Sequence, residues 1–201
     1  MYRRVFKRWF DILLSLIGLL IFCIPMLIIA LVIKLEDPGP AMFRQSRVGL
    51  GQRRFELLKF RTMRRDSPPD LPKELLAERD RYMLPCGRAL RKYSLDELPQ
   101  LINILRGEMS VVGPRPVIGL QGEEIVILER EKYGANDIRP GLTGLAQISG
   151  RDRLDNIEKA RFDGDYVRRM SFGLDCRLLL RTVGKVLTHE GFDEGDHSRT
   201  T

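Results

Sequence analysis

Histidine is almost missing from this chain: its 201 residues include only His189 and His197, both close to a polar C-terminus. With no imidazole in the body of the sequence, any acid, base or nucleophile must come from a carboxylate, Lys or Tyr. Cysteine is scarce too. Cys23, Cys86 and Cys176 are odd in number and far apart, and they form no Cys-x-x-Cys pair or Cys/His cluster with zinc spacing. A disulfide framework is therefore disfavoured and a reducing compartment is implied. The few aromatic residues form no stacking clusters, and there is no helix-turn-helix or RNA-binding motif. The Gly-Lys-Ser/Thr of a Walker A loop and the dinucleotide Gly-x-Gly-x-x-Gly are also absent, which excludes the two commonest nucleotide fingerprints. Without internal repeats or a second domain boundary, the length fits one domain with an appendage.

Positive charge is in excess. A net charge of +7 directs attention to anionic partners: phosphorylated small molecules, membrane headgroups or nucleic acid. The other conspicuous feature is an uncharged run of 22 residues, Ile12 to Ile33. As a straight helix it would reach ~33 Å, enough to cross a ~30 Å hydrocarbon core. No small-x-small cleavage pattern follows it, so it does not read as a signal peptide. Pro25 sits within the run, where it removes a helical hydrogen bond and predicts a kink. Both flanks are basic, with Arg3, Arg4, Lys7 and Arg8 before and Lys34, Arg44, Arg47, Arg53 and Arg54 after. Positive residues prefer the cytoplasmic side. From the residues alone two readings stay open: a single span with a proline kink, or a re-entrant helix broken at Pro25 with both ends cytoplasmic.

Asp37-Pro38-Gly39-Pro40 stops the helix. Met42 to Val48 and Arg54 to Met63 read as two strands joined through Gly49-Leu50-Gly51. Period 2 places Lys59 and Arg61 on one face, where they can bracket an anion or merely solvate a strand edge. Short charged helices are expected over Lys73 to Tyr82 and Gly87 to Tyr93. Leu98, Leu101, Ile102 and Leu105 then recur at helical spacing until Arg106-Gly107. Ser110 to Val112 is strand-like and runs into Gly113-Pro114-Arg115-Pro116, where two prolines present one guanidinium with little freedom left to lose. A surface helix follows over Glu123 to Tyr133. In the Gly-rich stretch from Arg139 to Arg151, glycines permit close approach to a ligand, with Arg139, Thr143, Gln147 and Arg151 as candidate binding side chains. Ile157 to Met170 reads as a packed helix. Leu174 to Leu187 reads as a basic amphipathic one, able to lie on an anionic membrane or simply solvated. Residues 189–201 read as a flexible polar tail.

Ser94-Leu95-Asp96-Glu97-Leu98-Pro99-Gln100 stands out from this background. Ser94 and Glu97 have the spacing of a capping box, which would make them helix punctuation. Two adjacent carboxylates after Arg88, Arg91 and Lys92 and before Arg115 also suit chemistry on an anion, with cations holding phosphate while a carboxylate attacks it or binds a metal.

Taken in order, Lys59-Phe60-Arg61-Thr62-Met63, Ser94 to Gln100, Gly113-Pro114-Arg115-Pro116 and Arg139-Pro140-Gly141-Leu142-Thr143-Gly144, after one hydrophobic segment, resemble the bacterial sugar transferases. These are the monotopic phosphoglycosyl transferases, here in what looks like the minimal catalytic-core form. The resemblance implies an α+β fold in three parts. A kinked re-entrant membrane helix over 1–36 precedes a small, mostly helical cytoplasmic domain over 37–188, with a short β-hairpin and amphipathic interfacial helices, and the tail 189–201 follows. It also implies transfer of a sugar phosphate from a UDP-sugar to polyprenol phosphate, undecaprenyl phosphate in bacteria, with release of UMP and use of Mg2+. The setting is the cytoplasmic face of the inner membrane, at the first membrane step of glycoconjugate assembly.

On that resemblance Asp96 is the nucleophile, giving a covalent phosphosugar intermediate, and Glu97 binds Mg2+ or manages a proton. Arg91 matches a phosphate-side Arg; Arg115, Lys59 and Arg61 complete the anion site. Asp175 matches an acidic position of unstated role. The family's Ser-Pro at the helix break is replaced here by Ile24-Pro25. The competing reading is a non-catalytic, membrane-anchored basic domain that binds nucleic acid or anionic lipid. It gives no reason for Asp96 and Glu97 beside Arg115. A CDP-alcohol phosphotransferase would need several spanning helices, whereas one apolar run exists.

Overall fold

Lys7–Glu36 forms one helix, α1, about 45 Å long at 1.5 Å per residue. A π-helical turn over Tyr2–Phe6 leads into it. The computed structural model describes residues 2–68, 81–119, 124–150 and 154–188. Pro25 lies inside α1, and the helix continues through it where the sequence predicted a break. Proline there costs one backbone bond to Ile21, and a long apolar helix tolerates that loss.

One stripe of α1 faces the rest of the molecule. Lys7, Asp11 and Ser15 are buried at its start and Ile33 at its end. Between them Gly18 abuts the Leu101 side chain, and Met26, Ile29 and Ala30 pack with Ile33 against Leu84 and Leu90. The steps of three and four residues are those of a single helix face. On the other face Leu16, Leu20, Ile24, Leu27 and Leu31 are exposed, Leu20 at 82%. Among the described residues α1 is the one helix long and apolar enough to cross a membrane.

Both ends of α1 are fixed to the same domain. At the start, Lys7 Nζ donates to Asp175 Oδ2 at 2.7 Å in the interior. At the end, the Glu36 carboxylate accepts from the Cys86 amide at 3.1 Å, and Asp37 accepts from the Arg65 amide at 3.0 Å.

Strands β1 (Met42–Val48) and β2 (Arg54–Phe60) form the expected antiparallel hairpin, with Met42 opposite Phe60 and Val48 opposite Arg54. Helix α2 (Pro85–Lys92) follows, then a 3-10 turn over Leu95–Glu97 and helix α3 (Gln100–Arg106). Asn103 of α3 is fully buried and bonds the free edge of β2 as a strand would. Its Oδ1 accepts from Leu58 N at 3.0 Å and its Nδ2 donates to Glu56 O at 2.7 Å. Helix α3 ends at Gly107, whose φ of 83° needs glycine.

Strand β3 (Ser110–Val112) then pairs in parallel with β4 (Gly141–Thr143). Between them come Gly113 to Pro116 and helix α4 (Glu124–Glu131). Helices α5 (Leu145–Ser149), α6 (Asn156–Arg169) and α7 (Phe172–Thr188) complete the described chain. The larger core joins Leu101, Ile104, Val111, Val112, Ile148, Tyr166 and Leu178. The expected helix over 73–82 falls almost wholly outside the described residues, as do Arg151 and the tail 189–201.

Candidate active site

Ser94 is not a helix cap. Its φ of 54° is left-handed and its side chain makes no capping bond, so the chain reverses there and leaves α2 for the 3-10 turn. The predicted capping box at Ser94 and Glu97 therefore fails, because a cap needs extended backbone at Ser94. A true capping box starts α6 instead, from Asp155 and Glu158. Leu95 and Leu98, on either side of the carboxylates, pack into the core with Leu84 and Leu90. Those anchors turn Asp96 and Glu97 toward a cavity of about 620 Å3 bordered by β1, β2, the turn, the Arg115 loop, α4, α5 and α6.

Asp96 is 9% exposed. Burial pushes its carboxyl up to about 6, with help from the neighbouring Glu97 charge and against the pull of Lys59 and Arg91. It is thus ionised at neutral pH but close to its titration. Glu97 is held between two cations: its Oε1 accepts from Lys59 Nζ at 3.3 Å and from an Arg115 amino group at 3.4 Å. Arg91, from α2, donates through Nε to Thr62 Oγ1 at 3.0 Å and lines the same cavity.

The Arg115 loop is rigid for reasons beyond its prolines. Arg130 donates to the Arg115 carbonyl at 3.0 Å and Arg47 to the Pro116 carbonyl at 3.1 Å. Arg130 is itself paired with Asp163 at 2.6 Å, with both side chains buried. Gly113 donates to Thr143 O and Gly141 to Pro114 O, each at 2.8 Å. A Cβ on Gly141 would lie 2.1 Å from the Gly113 nitrogen, so glycine is required for this close backbone approach beside the β3–β4 pair. Arg130, Asp163 and Arg47 carried no signal in the sequence, because their roles depend on contacts across tens of residues.

The cavity gathers Lys59, Arg61, Arg91, Asp96, Glu97, Arg115 and Gln147 from the expected set. Arg61 serves a structural role as well: its guanidinium bonds both the carboxylate and the carbonyl of Asp37. Thr143 and Arg139 are elsewhere. The Thr143 hydroxyl is 2.6 Å from that of Thr182. Arg139 donates to Gly107 O at 2.7 Å, and Arg8 to Ile104 O and Leu105 O at 2.6 and 2.9 Å. Together the two arginines satisfy the carbonyls at the end of α3 and border a second cavity of about 600 Å3. The Gly-rich stretch thus divides: Gly141–Thr143 is a strand paired with β3, and Gln147 on the helix that follows lines the cavity. Asp175 is fully buried and accepts from Tyr2 (2.6 Å), Lys7 and Tyr166 (2.7 Å each). It ties the N-terminus to α6 and α7.

Among the described residues there is no group of three acidic, Cys or His side chains able to cage a metal. The donor set nevertheless fits Mg2+, an ion bound through one or two carboxylates with substrate phosphates and water completing the shell. Asp96 and Glu97 are such a pair.

The cavity thus sets a buried carboxylate, Asp96, among the cations Lys59, Arg91 and Arg115. The sequence profile of the bacterial sugar transferases matches residues 2–189. The chain is 43% identical over 189 residues to a UDP-glucose:undecaprenyl-phosphate glucose-1-phosphate transferase of Caulobacter vibrioides, covering 90% of this chain and 70% of that one. It is 40% identical over 197 residues to the exopolysaccharide production protein PSS of Rhizobium leguminosarum bv. phaseoli, covering 94% and 98%. It is 37% identical over 191 residues to a UDP-N-acetylgalactosamine-undecaprenyl-phosphate N-acetylgalactosaminephosphotransferase of Aeromonas hydrophila, covering 92% and 44%. The chain belongs to the bacterial sugar transferase family and is an enzyme of the phosphoglycosyl transferase class.

Proposed function

We propose that the protein transfers a sugar phosphate from a UDP-sugar to undecaprenyl phosphate, with Asp96 as nucleophile. The observation that carries this is Asp96 itself, a buried carboxylate on a cavity that it shares with Lys59, Arg91 and Arg115. Such a group is ionised at pH 7 without a base, and the cations offset its approach to a diphosphate. An Asp96 oxygen attacks the sugar-linked phosphorus, and the bond to the bridging oxygen breaks, with the electron pair leaving on UMP. An oxygen of undecaprenyl phosphate then attacks the same phosphorus and breaks its bond to Asp96, which restores the carboxylate. Arg115 and Lys59 hold phosphate oxygens, and Arg91 stabilises charge on the departing UMP. Glu97 keeps Lys59 and Arg115 together and, with Asp96, would hold Mg2+. Bound there, Mg2+ supplies neutralisation of diphosphate charge.

The two ends of α1 favour a monotopic arrangement. Lys7 and Glu36 both bond to one domain, so placing them on opposite faces of a ~30 Å core would require that domain to span it too. With basic residues at both ends, this monotopic reading keeps both ends of α1 and the domain on the cytoplasmic face of the inner membrane, with no break at Pro25 required. Exposed Phe172, Leu180, Val183 and Leu187 of α7 suit contact with the same surface. The reading places the protein at the first membrane step of glycoconjugate assembly, and a relative named for exopolysaccharide production supports it.

The test is UMP release from detergent-extracted protein with undecaprenyl phosphate, Mg2+ and a panel beginning with UDP-glucose and UDP-N-acetylgalactosamine. Release with one donor and none from Asp96→Asn is expected, with a phosphosugar adduct on Asp96 by mass spectrometry when acceptor is withheld. Absence of UMP with every donor would overturn the reading.

A further inference from the structure

The cavity extends beyond what transfer chemistry needs. The cavity lining also includes Val117, Val126 and Ala146, all buried, with Gln147, Asn156 and Lys159 among its polar side chains. Arg115, in the same lining, contacts Glu97 at 3.4 Å. Gln147 is unusual within it. Both carboxamide atoms, Oε1 and Nε2, are shielded from solvent and have no hydrogen-bond partner. The oxygen lies over Gly144, where a Cβ would come within 2.5 Å of it.

A buried carboxamide with neither end satisfied is disfavoured and rare in a native fold. No partner among the described residues compensates it, which leaves a bound ligand or the water it would displace. A carboxamide offers one donor and one acceptor in a plane. The matching edge is a planar imide or amide that presents an acceptor beside an N–H. Apolar walls on either side suit a flat ring more than a sugar, whose hydroxyls would lose water against Val117 and Val126.

We propose that Gln147 reads the uracil ring, its Oε1 accepting from N3–H and its Nε2 donating to O4, after a side-chain rotation off Gly144. This rests on the transfer reading above, and it places the parts of the donor in order: sugar-linked phosphorus at Asp96, the UMP phosphate at Arg115, the base beyond it. Gln147 is then a specificity residue that never touches the reacting atoms.

The test compares the affinity of the full-length protein for UDP and for N3-methyl-UDP, by calorimetry in detergent, in wild type, Gln147→Leu and Gln147→Met. Wild type should bind UDP about tenfold or more tighter than the methylated nucleotide, because methylation leaves the carboxamide oxygen unpaired. Both variants should bind UDP about tenfold more weakly and no longer distinguish the two. Equal affinity in wild type overturns the proposal, as does a methyl penalty that survives undiminished in a folded variant. If neither variant folds, the wild-type comparison still decides. UMP release from a UDP-sugar by wild type, measured in parallel, separates the outcomes. Release without a methyl penalty leaves the transfer reading standing and removes only the role of Gln147.

Discussion

Lys7 and Asp175 are 168 residues apart in sequence and 2.7 Å apart in the interior. The carboxylate also accepts from Tyr2 and Tyr166, so the charge is paired and its remaining lone pairs are used. Breaking such a buried pair from one side leaves an uncompensated ion and typically costs about 3–5 kcal/mol. Lys7→Met and Asp175→Leu should each lower the thermal midpoint of detergent-solubilised protein sharply. The double variant should be less destabilised than the sum of the two, which a double-mutant cycle would measure.

The pH dependence of turnover follows from Asp96. A nucleophilic carboxylate must be deprotonated, and this one is raised to about 6. Activity should be level above pH 7 and fall about tenfold per unit well below pH 6. Raising Mg2+ should move the midpoint to lower pH, because a nearby cation favours the ionised carboxylate, and activity that rises on acidification would contradict the nucleophile assignment.

The same shift predicts a conflict between activity and stability. A carboxyl raised on folding contributes stability below its unfolded value, about 4, and loses it as pH rises through about 6. At pH 7.5 in EDTA, Asp96→Asn should therefore be inactive yet more stable than wild type, by up to about 3 kcal/mol. The gain should shrink between pH 6 and pH 4 and vanish below that range.

Two basic residues from one segment should behave differently. Lys59 contacts Glu97 at the cavity wall, so Lys59→Met should lower kcat/KM about tenfold to a hundredfold with little change in unfolding. Arg61 bonds Asp37 by two groups, so Arg61→Met should mainly lower stability, and Asp37→Asn should do likewise. Unfolding and kinetic measurements on the three variants would separate the roles.

Arg139→Gln offers a further contrast. Its guanidinium satisfies Gly107 O beside the second cavity, so the change should cost about 1–3 kcal/mol of stability. KM for the UDP-sugar should remain within about twofold in the protein that folds. A large rise in KM would return Arg139 to the substrate site.

What the sequence disclosed depended on how locally each feature is determined. The hairpin was legible because alternation and Gly49-Leu50-Gly51 are local, and the stop after α1 because Pro38 and Pro40 cannot continue a helix. Asp96 and Glu97 were visible because paired carboxylates beside arginines are unusual at any fold position. Ser94 misled, since capping-box spacing does not reveal that its own backbone is left-handed. Arg139 and Arg115 look alike, each beside prolines and glycines. One ends up against the carbonyls of α3 and the other against Glu97, because Arg139 precedes β4 and Arg115 follows β3 in a parallel pair, which sends them to opposite ends of it. The clamp from Asp163 through Arg130 to the Arg115 carbonyl joins three segments and has no sequence pattern.

The buried stripe on α1 bears on how the catalytic domain can be handled. Cutting the chain near residue 37 would strip Lys7 from Asp175, Asp11 from the Ser110 hydroxyl and the Val111 amide, and Ile33 from its core. It would also open the wall on which Leu101 rests at Gly18. The helix is therefore a structural wall of the enzyme, and a truncated form would lack the inner surface around which β3 and α3 are built.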